Sequence, residues 1–320
     1  MLYPLTFEPI FKERVWGSES WTISDRPDDD SRITNGPLAG QSLHEVLERD
    51  PAGILGPGVV VSGFPGPELA ESSRTLRFPI LCKILTCRET LSVQVHPPAA
   101  RAAELGGEPK TEMWYIADAD PGAELYVGVR RGVTRTDFEE RLRRGDVAEA
   151  LHRVPVAPGD SMFLPSGRVH AIGAGLVIFE IQQNSDTTYR VFDWNRLGLN
   201  GKPRDLHIAE SMASINFEDF EPPLTKSPSA ARGTLQSQAL VRDPLFNVDL
   251  LRSPGSVTLA GGHMRIVAVV RGQVEITTAG QTLTLQERAF CLLPAALGET
   301  RVSAERGEFL LVEGSRSVRL

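Results

Sequence analysis

Four residues of this chain are of the types that hold a transition metal: Gln94, His96, Glu112 and His170. Two neutral imidazoles, one carboxylate and one amide oxygen form a donor set suited to Zn²⁺. Gln94 and His96 lie in Leu91-Ser92-Val93-Gln94-Val95-His96, which alternates apolar and polar residues. A strand turns successive side chains to opposite faces. The alternation therefore predicts Leu91, Val93 and Val95 on a core face, with Ser92, Gln94 and His96 in a row on the other. Lys110 and Glu112 have strand parity and are expected in one pocket, and Glu180 and Gln182 share a face. Arg190 ends a dense polar run, and a guanidinium grips an anion with two parallel hydrogen bonds. The other histidines, His44, His152, His207 and His263, carry no such pattern and are read as ordinary core or surface residues.

The elements that position these groups are mostly short strands. Gly159, Pro165, Gly167 and His170 follow the spacing G-x5-P-x-G-x2-H. It reads as a turn, a strand around Met162 to Leu164, a second turn, and a strand that His170 enters facing inward. This is the second motif of the cupin barrels. Gln94-Val95-His96 and Glu112 occupy the place of the first, which usually has His-x-His and a glutamate. Further strands are expected at 80–86, 113–117 and 176–182, and again at 265–270, 273–277, 281–285, 289–293 and 309–312. Frequent glycine (29) and proline (23) punctuate these runs, the pattern of a sandwich or jelly roll.

Helices are fewer. Ser42-Leu43-His44-Glu45 and Thr136-Asp137-Phe138-Glu139 have the capping-box pattern. After the second, Phe138, Leu142, Val147 and Leu151 roughly follow helical spacing, and Arg141 to Arg144 read as a solvated face. Residues 221–233 read as a linker or an extended surface segment. Beyond it a second β unit is expected, with Val270 to Glu275 as a strand-turn-strand. Phe290-Cys291-Leu292-Leu293-Pro294 faintly repeats Ser161-Met162-Phe163-Leu164-Pro165, without any Gln-x-His row. The division expected is a catalytic domain over 1–225 with the zinc site and a smaller β domain over 226–320 without one.

Net charge is −7, so no overall basic surface suggests nucleic acid. Hydrophobic residues make up 41% and charged residues 23%, as in a soluble globular protein. The N-terminus lacks the basic and apolar regions of a secretory signal, and no apolar run reaches membrane-span length. Cys82, Cys87 and Cys291 form no disulfide framework and are expected as buried thiols of a cytoplasmic protein.

Together these blocks resemble the type I mannose-6-phosphate isomerases (phosphomannose isomerases) in their short bacterial form. The resemblance rests on Arg14-Val15-Trp16-Gly17, Pro79 to Lys83, Leu91 to Pro97, Lys110 to Tyr115, Pro165 to Ala171 and Ser185 to Trp194, in the family's order. It implies a mainly β fold, a cupin jelly roll with a few helices. It also implies one zinc per chain and interconversion of mannose 6-phosphate and fructose 6-phosphate. By resemblance the zinc ligands are His96, Glu112, His170 and Gln94, with water the alternative to Gln94. Arg190 falls on the family's catalytic arginine, and Lys110, Glu180, Lys83, Ser92 and Trp16 fall on pocket positions. Pro109 and Ile172 depart from residues common in other members, a histidine and a tyrosine. The implied partner is a phosphosugar, with no nucleic acid and no membrane; monomer and homodimer both stay open. Two other readings also stay open: a cupin isomerase or epimerase of another sugar phosphate, and a non-catalytic sugar-binding cupin. An iron oxygenase would be expected to carry a fuller His-x-His, which Gln94 interrupts.

Overall fold

The computed structural model describes residues 2–57 and 76–314. Two antiparallel sheets face each other. One runs in the order Ser161–Leu164, Glu112–Ala119, Leu176–Gln183, Ile80–Cys87, Gly17–Ile23, Ile10–Arg14. The other runs Leu151–Pro155, Glu124–Val129, His170–Ile172, Val93–Val95, Tyr189–Phe192. Between them lies a core that includes Trp16, Leu85, Trp114, Ile116, Leu125, Met162, Ile172 and Ile178. This is the expected mainly β jelly roll.

The central strands of the first sheet, Ile80–Cys87 and Leu176–Gln183, are buried on both faces, which is why they read as nearly continuous apolar runs. Trp114, Ile116 and Ile178 point inward, while Met113, Tyr115, Phe179 and Ile181 point to the opposite face. On that outer side a ten-stranded sheet packs, built from Leu5–Thr6 and from strands after residue 228. Phe179 stacks on Phe290 across this layer, with ring centres 5.5 Å apart. The N-terminal Leu5–Thr6 pairs with Phe290–Leu293, so the chain's first strand is tied into its last sheet.

Helices are few, as expected. Ser42 caps Leu43–Arg49 with the reciprocal Glu45 bond of a capping box. The other helix expected from a capping box, Arg135–Arg144, is capped by Thr134 rather than Thr136, because the Thr134 hydroxyl is the one three residues before a free amide, that of Asp137. Gly145, at φ 81°, ends the helix. Val147 therefore falls in a 3₁₀ turn and Leu151 in a strand, not on a continued helix.

Three other local expectations are corrected. Residues 229–232 of the expected linker form a strand, paired to Leu235–Arg242. Val270 to Glu275 does not reverse: Arg265–Thr278 is one strand with an irregularity near Gly272. Gly272, at φ 74°, lets the strand bend close against the Arg306 carbonyl, where a Cβ would lie only 2.2 Å from the oxygen. Strand pairing also begins only at Val93, so Leu91 packs with the inner core while Val93 and Val95 pack outward. All three cysteines are buried and unpaired. No helix among the described residues is long and apolar enough to cross a membrane.

Candidate active site

Two cross-strand rows face each other inside the barrel. On the five-stranded sheet Gln94 pairs with His170 on one side and Arg190 on the other. On the six-stranded sheet Glu180 pairs with Lys83 on one side and Trp114 on the other. Glu112 lies one inward position along the strand from Trp114. The turn before His170 is fastened to the first row: Gly167, at φ 92°, donates its N–H to the His96 carbonyl at 2.8 Å. The Ser166 hydroxyl accepts from the Lys110 N–H at 3.1 Å, which fixes the chain leading into Glu112.

His96, Glu112 and His170 are each at most 2% exposed, and their ligand atoms lie within 4.8 Å of one another. His96 Nδ1 is 2.8 Å from the Thr187 carbonyl, and His170 Nδ1 is 2.9 Å from the Arg168 carbonyl. A carbonyl only accepts, so in both rings Nδ1 carries the proton and Nε2 presents its lone pair. Those nitrogens stand 3.4 and 3.3 Å from the Glu112 carboxylate. Burial, then the Lys110 charge, depresses the His96 pKa to about 4; burial also lowers that of His170. Both rings are thus neutral. Burial opposes ionisation of Glu112, but the Lys110 ammonium outweighs it and holds its pKa well below the usual range.

Lone pairs and a carboxylate thus converge in a dry place, with His96 Nε2 and Glu112 Oε1 lacking any hydrogen-bond partner. Such groups repel unless a cation sits among them, so these residues fit a metal ion. Gln94 Nε2 is 3.2 Å from His170 Nε2. An amide can turn over and present its oxygen at the same point, so Gln94 is placed to be a fourth ligand.

A chain of alternating charges leads away from this cluster. Glu112 is 3.0 Å from Lys110, Lys110 is 4.0 Å from Glu180, and Glu180 is 3.5 Å from Lys83. Lys83 is 3.9 Å from Glu19, which pairs with Arg14 at 3.1 Å. Burial disfavours the Lys110 charge, yet Glu112 and Glu180 outweigh it and raise its pKa. Trp114 Nε1 donates to Glu180 at 2.9 Å, and Trp21 Nε1 to Glu19 at 2.6 Å.

A cavity of about 560 Å³ opens onto these groups. Trp16, Lys83, Ser92, Gln94, Lys110, Glu180 and Arg190 all line it. The structure therefore brings the ten residues singled out in the sequence into one site. Gln182 does not line the cavity: its amide N–H groups donate to the Gln183 and Ser185 carbonyls, and its buried Oε1 has no partner. Glu19, Arg14 and Arg204 also line the cavity and were not anticipated. Glu19 and Trp21 share strand parity, which was a readable signal. Arg204 had none, since it follows a loop that reads as simple surface.

Between Arg190 and Arg204 the chain makes a tight excursion. Trp194 and Asn195 both adopt φ 55°. Left-handed conformations at non-glycine residues cost of order 1–3 kcal/mol each. They let both Arg196 and Arg204 fold back onto the buried Asp193 carboxylate, at 3.0 and 2.5 Å.

Comparison with known proteins places this architecture. Residues 8–139 match the model of the phosphomannose isomerase type I catalytic domain, a stretch that contains Gln94, His96, Lys110 and Glu112. A probable mannose-6-phosphate isomerase, GmuF, of Bacillus subtilis is 33% identical, over 93% of this chain and 96% of that protein. The mannose-6-phosphate isomerase of Streptococcus mutans is also 33% identical, over 92% and 93%. The crystal structure of mannose 6-phosphate isomerase from Bacillus subtilis superposes with a TM-score of 0.83 at 27% identity, covering 97% of this chain and 99% of that one. The apo phosphomannose isomerase of Salmonella typhimurium, at 16% identity and a TM-score of 0.71, shares the fold over 98% of this chain and all of its own. With relatives this similar along almost the whole chain, and with its barrel and ligand cluster in place, the chain belongs to the type I phosphomannose isomerase family of enzymes.

Proposed function

We propose that the chain is a zinc-dependent aldose–ketose isomerase that interconverts mannose 6-phosphate and fructose 6-phosphate through an enediol. The observation that carries the reading is the convergence of His96 Nε2, His170 Nε2 and the Glu112 carboxylate, joined through Lys110 and Gln94 to a cavity that Glu180 and Arg190 also line. His96, Glu112, His170 and Gln94 would hold one zinc ion per chain. When bound, the ion supplies Lewis-acid polarisation of sugar oxygens.

The protein groups do the remaining work. The reaction moves a proton between C1 and C2 of the open-chain sugar. Glu180 and Lys110 adjoin each other on the inner face and are the proton carriers. Lys110, held as a cation by two carboxylates, donates toward a developing oxyanion, while the Glu180 carboxylate accepts the carbon-bound proton. Positioned acid–base groups of this kind contribute about 10²- to 10⁴-fold. Arg190 adds positive charge beside the enediolate or the phosphate. Lys83, Ser92 and Trp16 shape the pocket around the sugar. In this reading the domain 1–225 carries the chemistry, and the strands between Ser229 and Gly314 buttress the outer face of the catalytic sheet.

The test is a coupled assay with mannose 6-phosphate on chelator-stripped and zinc-reloaded protein, with metal analysis of each. Activity should disappear on stripping and return with zinc. Full activity in metal-free protein would remove the zinc role. A panel of other sugar phosphates turned over equally well would shift the reading to a different isomerase or epimerase.

A further inference from the structure

We propose that Arg204, aligned by Asp193, is the residue that anchors the substrate's phosphate, at the mouth of the cavity. The inference rests on the phosphosugar reading above and asks which cations remain available to an anion. Lys83 and Lys110 are almost wholly buried, and each is already ion-paired, Lys83 with Glu19 and Glu180, Lys110 with Glu112 and Glu180. Arg190 and Arg204 line the same cavity but are only partly buried, toward its open side with Leu199 and Asn200.

Arg190, Arg196 and Arg204 cluster here around one buried carboxylate, Asp193. Arg190 forms no ion pair among the described residues; its Nη1 donates to the Asp205 carbonyl and its buried Nε has no partner. Burial and then the neighbouring Arg204 charge depress its pKa. Asp193 serves both Arg196 and Arg204, and Arg196 also reaches Glu89 at 3.7 Å. Arg204 gives Nε and Nη2 to Asp193 in a bidentate grip, at 2.7 and 2.5 Å. Its Nη1 donates to no described residue. A guanidinium locked on one edge by a carboxylate offers its other edge in a fixed direction, which suits a phosphate oxygen. A dianion here would relieve the Arg190–Arg204 repulsion and leave the sugar's other end toward the lysines and the ligand cluster. Asp193 is then a positioning residue that never touches substrate.

The experiment uses the metal-loaded enzyme with Arg204→Gln and Arg204→Lys. Steady-state kinetics with mannose 6-phosphate are run beside inhibition and calorimetric binding of inorganic phosphate. For Arg204→Gln, KM and the phosphate Ki should rise together by roughly 10- to 100-fold, as for loss of a charge-assisted pair. Arg204→Lys should move both in the same direction by less. Melting temperature and metal content should hold. Asp193→Asn should raise KM more than it lowers kcat. An unchanged phosphate Ki in either Arg204 variant overturns the assignment, even if KM rises. If wild-type protein fails to isomerise mannose 6-phosphate but still binds phosphate through Arg204, the anion site stands and the isomerase reading falls.

Discussion

Glu19 offers a quantitative test of the buried charge chain. Its side chain sits between Lys83 and Arg14 and accepts from Trp21. Burial alone would raise its pKa, but Lys83 and Arg14 win and lower it from an ordinary 4.5 to about 2. A carboxylate with a depressed folded pKa contributes stability that is fully present above its unfolded value and is lost as pH falls toward the folded one. The window here runs from about 4.5 down to about 2. At 1.36 kcal/mol per pKa unit the contribution is about 3 kcal/mol at pH 7 and about 2 kcal/mol at pH 3.5. Glu19→Gln keeps an acceptor for Trp21 and removes the charge. Urea unfolding of metal-free wild type and variant, at pH 7 and at pH 3.5, reads the difference. The stability gap should shrink by about 1 kcal/mol on acidification. A gap that stays constant or widens at pH 3.5 would show that Glu19 is not held ionised by Lys83 and Arg14, and the alternating-charge account of the pocket floor would fail with it.

Other perturbations separate the roles of neighbouring groups. Lys110→Met strands the buried Glu112 carboxylate and leaves Glu180 to Lys83 alone, and should cost about 3–5 kcal/mol in metal-free protein. The cost should be smaller with zinc bound, since the ion then neutralises Glu112; equal melting losses in both states would count against Glu112 as a ligand. Gln94→Ala should weaken zinc binding less than His96→Ala or Glu112→Ala, measured by competition with a chromogenic chelator. An equal loss would make Gln94 a full ligand. Arg190→Ala should lower turnover by about 10²-fold or more while metal content and circular dichroism persist; unchanged turnover would take Arg190 out of the mechanism.

Much of this site was legible from residue types and parity. The alternation at 93–96 put Gln94 and His96 on one face, and the Gly159-to-His170 spacing put His170 at the start of an inward strand. Parity also paired Lys110 with Glu112. It failed where hydrogen bonding, not alternation, decides the outcome. Leu91 precedes the first ladder pair, so its side chain is free to join the inner core. Gln182 keeps the parity of Glu180, opposite Glu112, but the turn after the strand offers two carbonyls that take its amide N–H groups away from the cavity. Thr136 looked like a helix cap, and Thr134 is one, because the cap is chosen by where the chain can enter the helix.

The sequence by itself determined the donor types, the face each occupies on its own strand, and the turns that set His170. Only tertiary structure decided that the rows His170–Gln94–Arg190 and Trp114–Glu180–Lys83 confront each other. Strand parity is a local property with a period of two, whereas register and sheet facing are set by long-range pairing and core packing. The same distinction explains Arg204. It sits in a loop with no periodicity, and it gains a role only because two left-handed residues return the chain to Asp193 at the edge of the cavity.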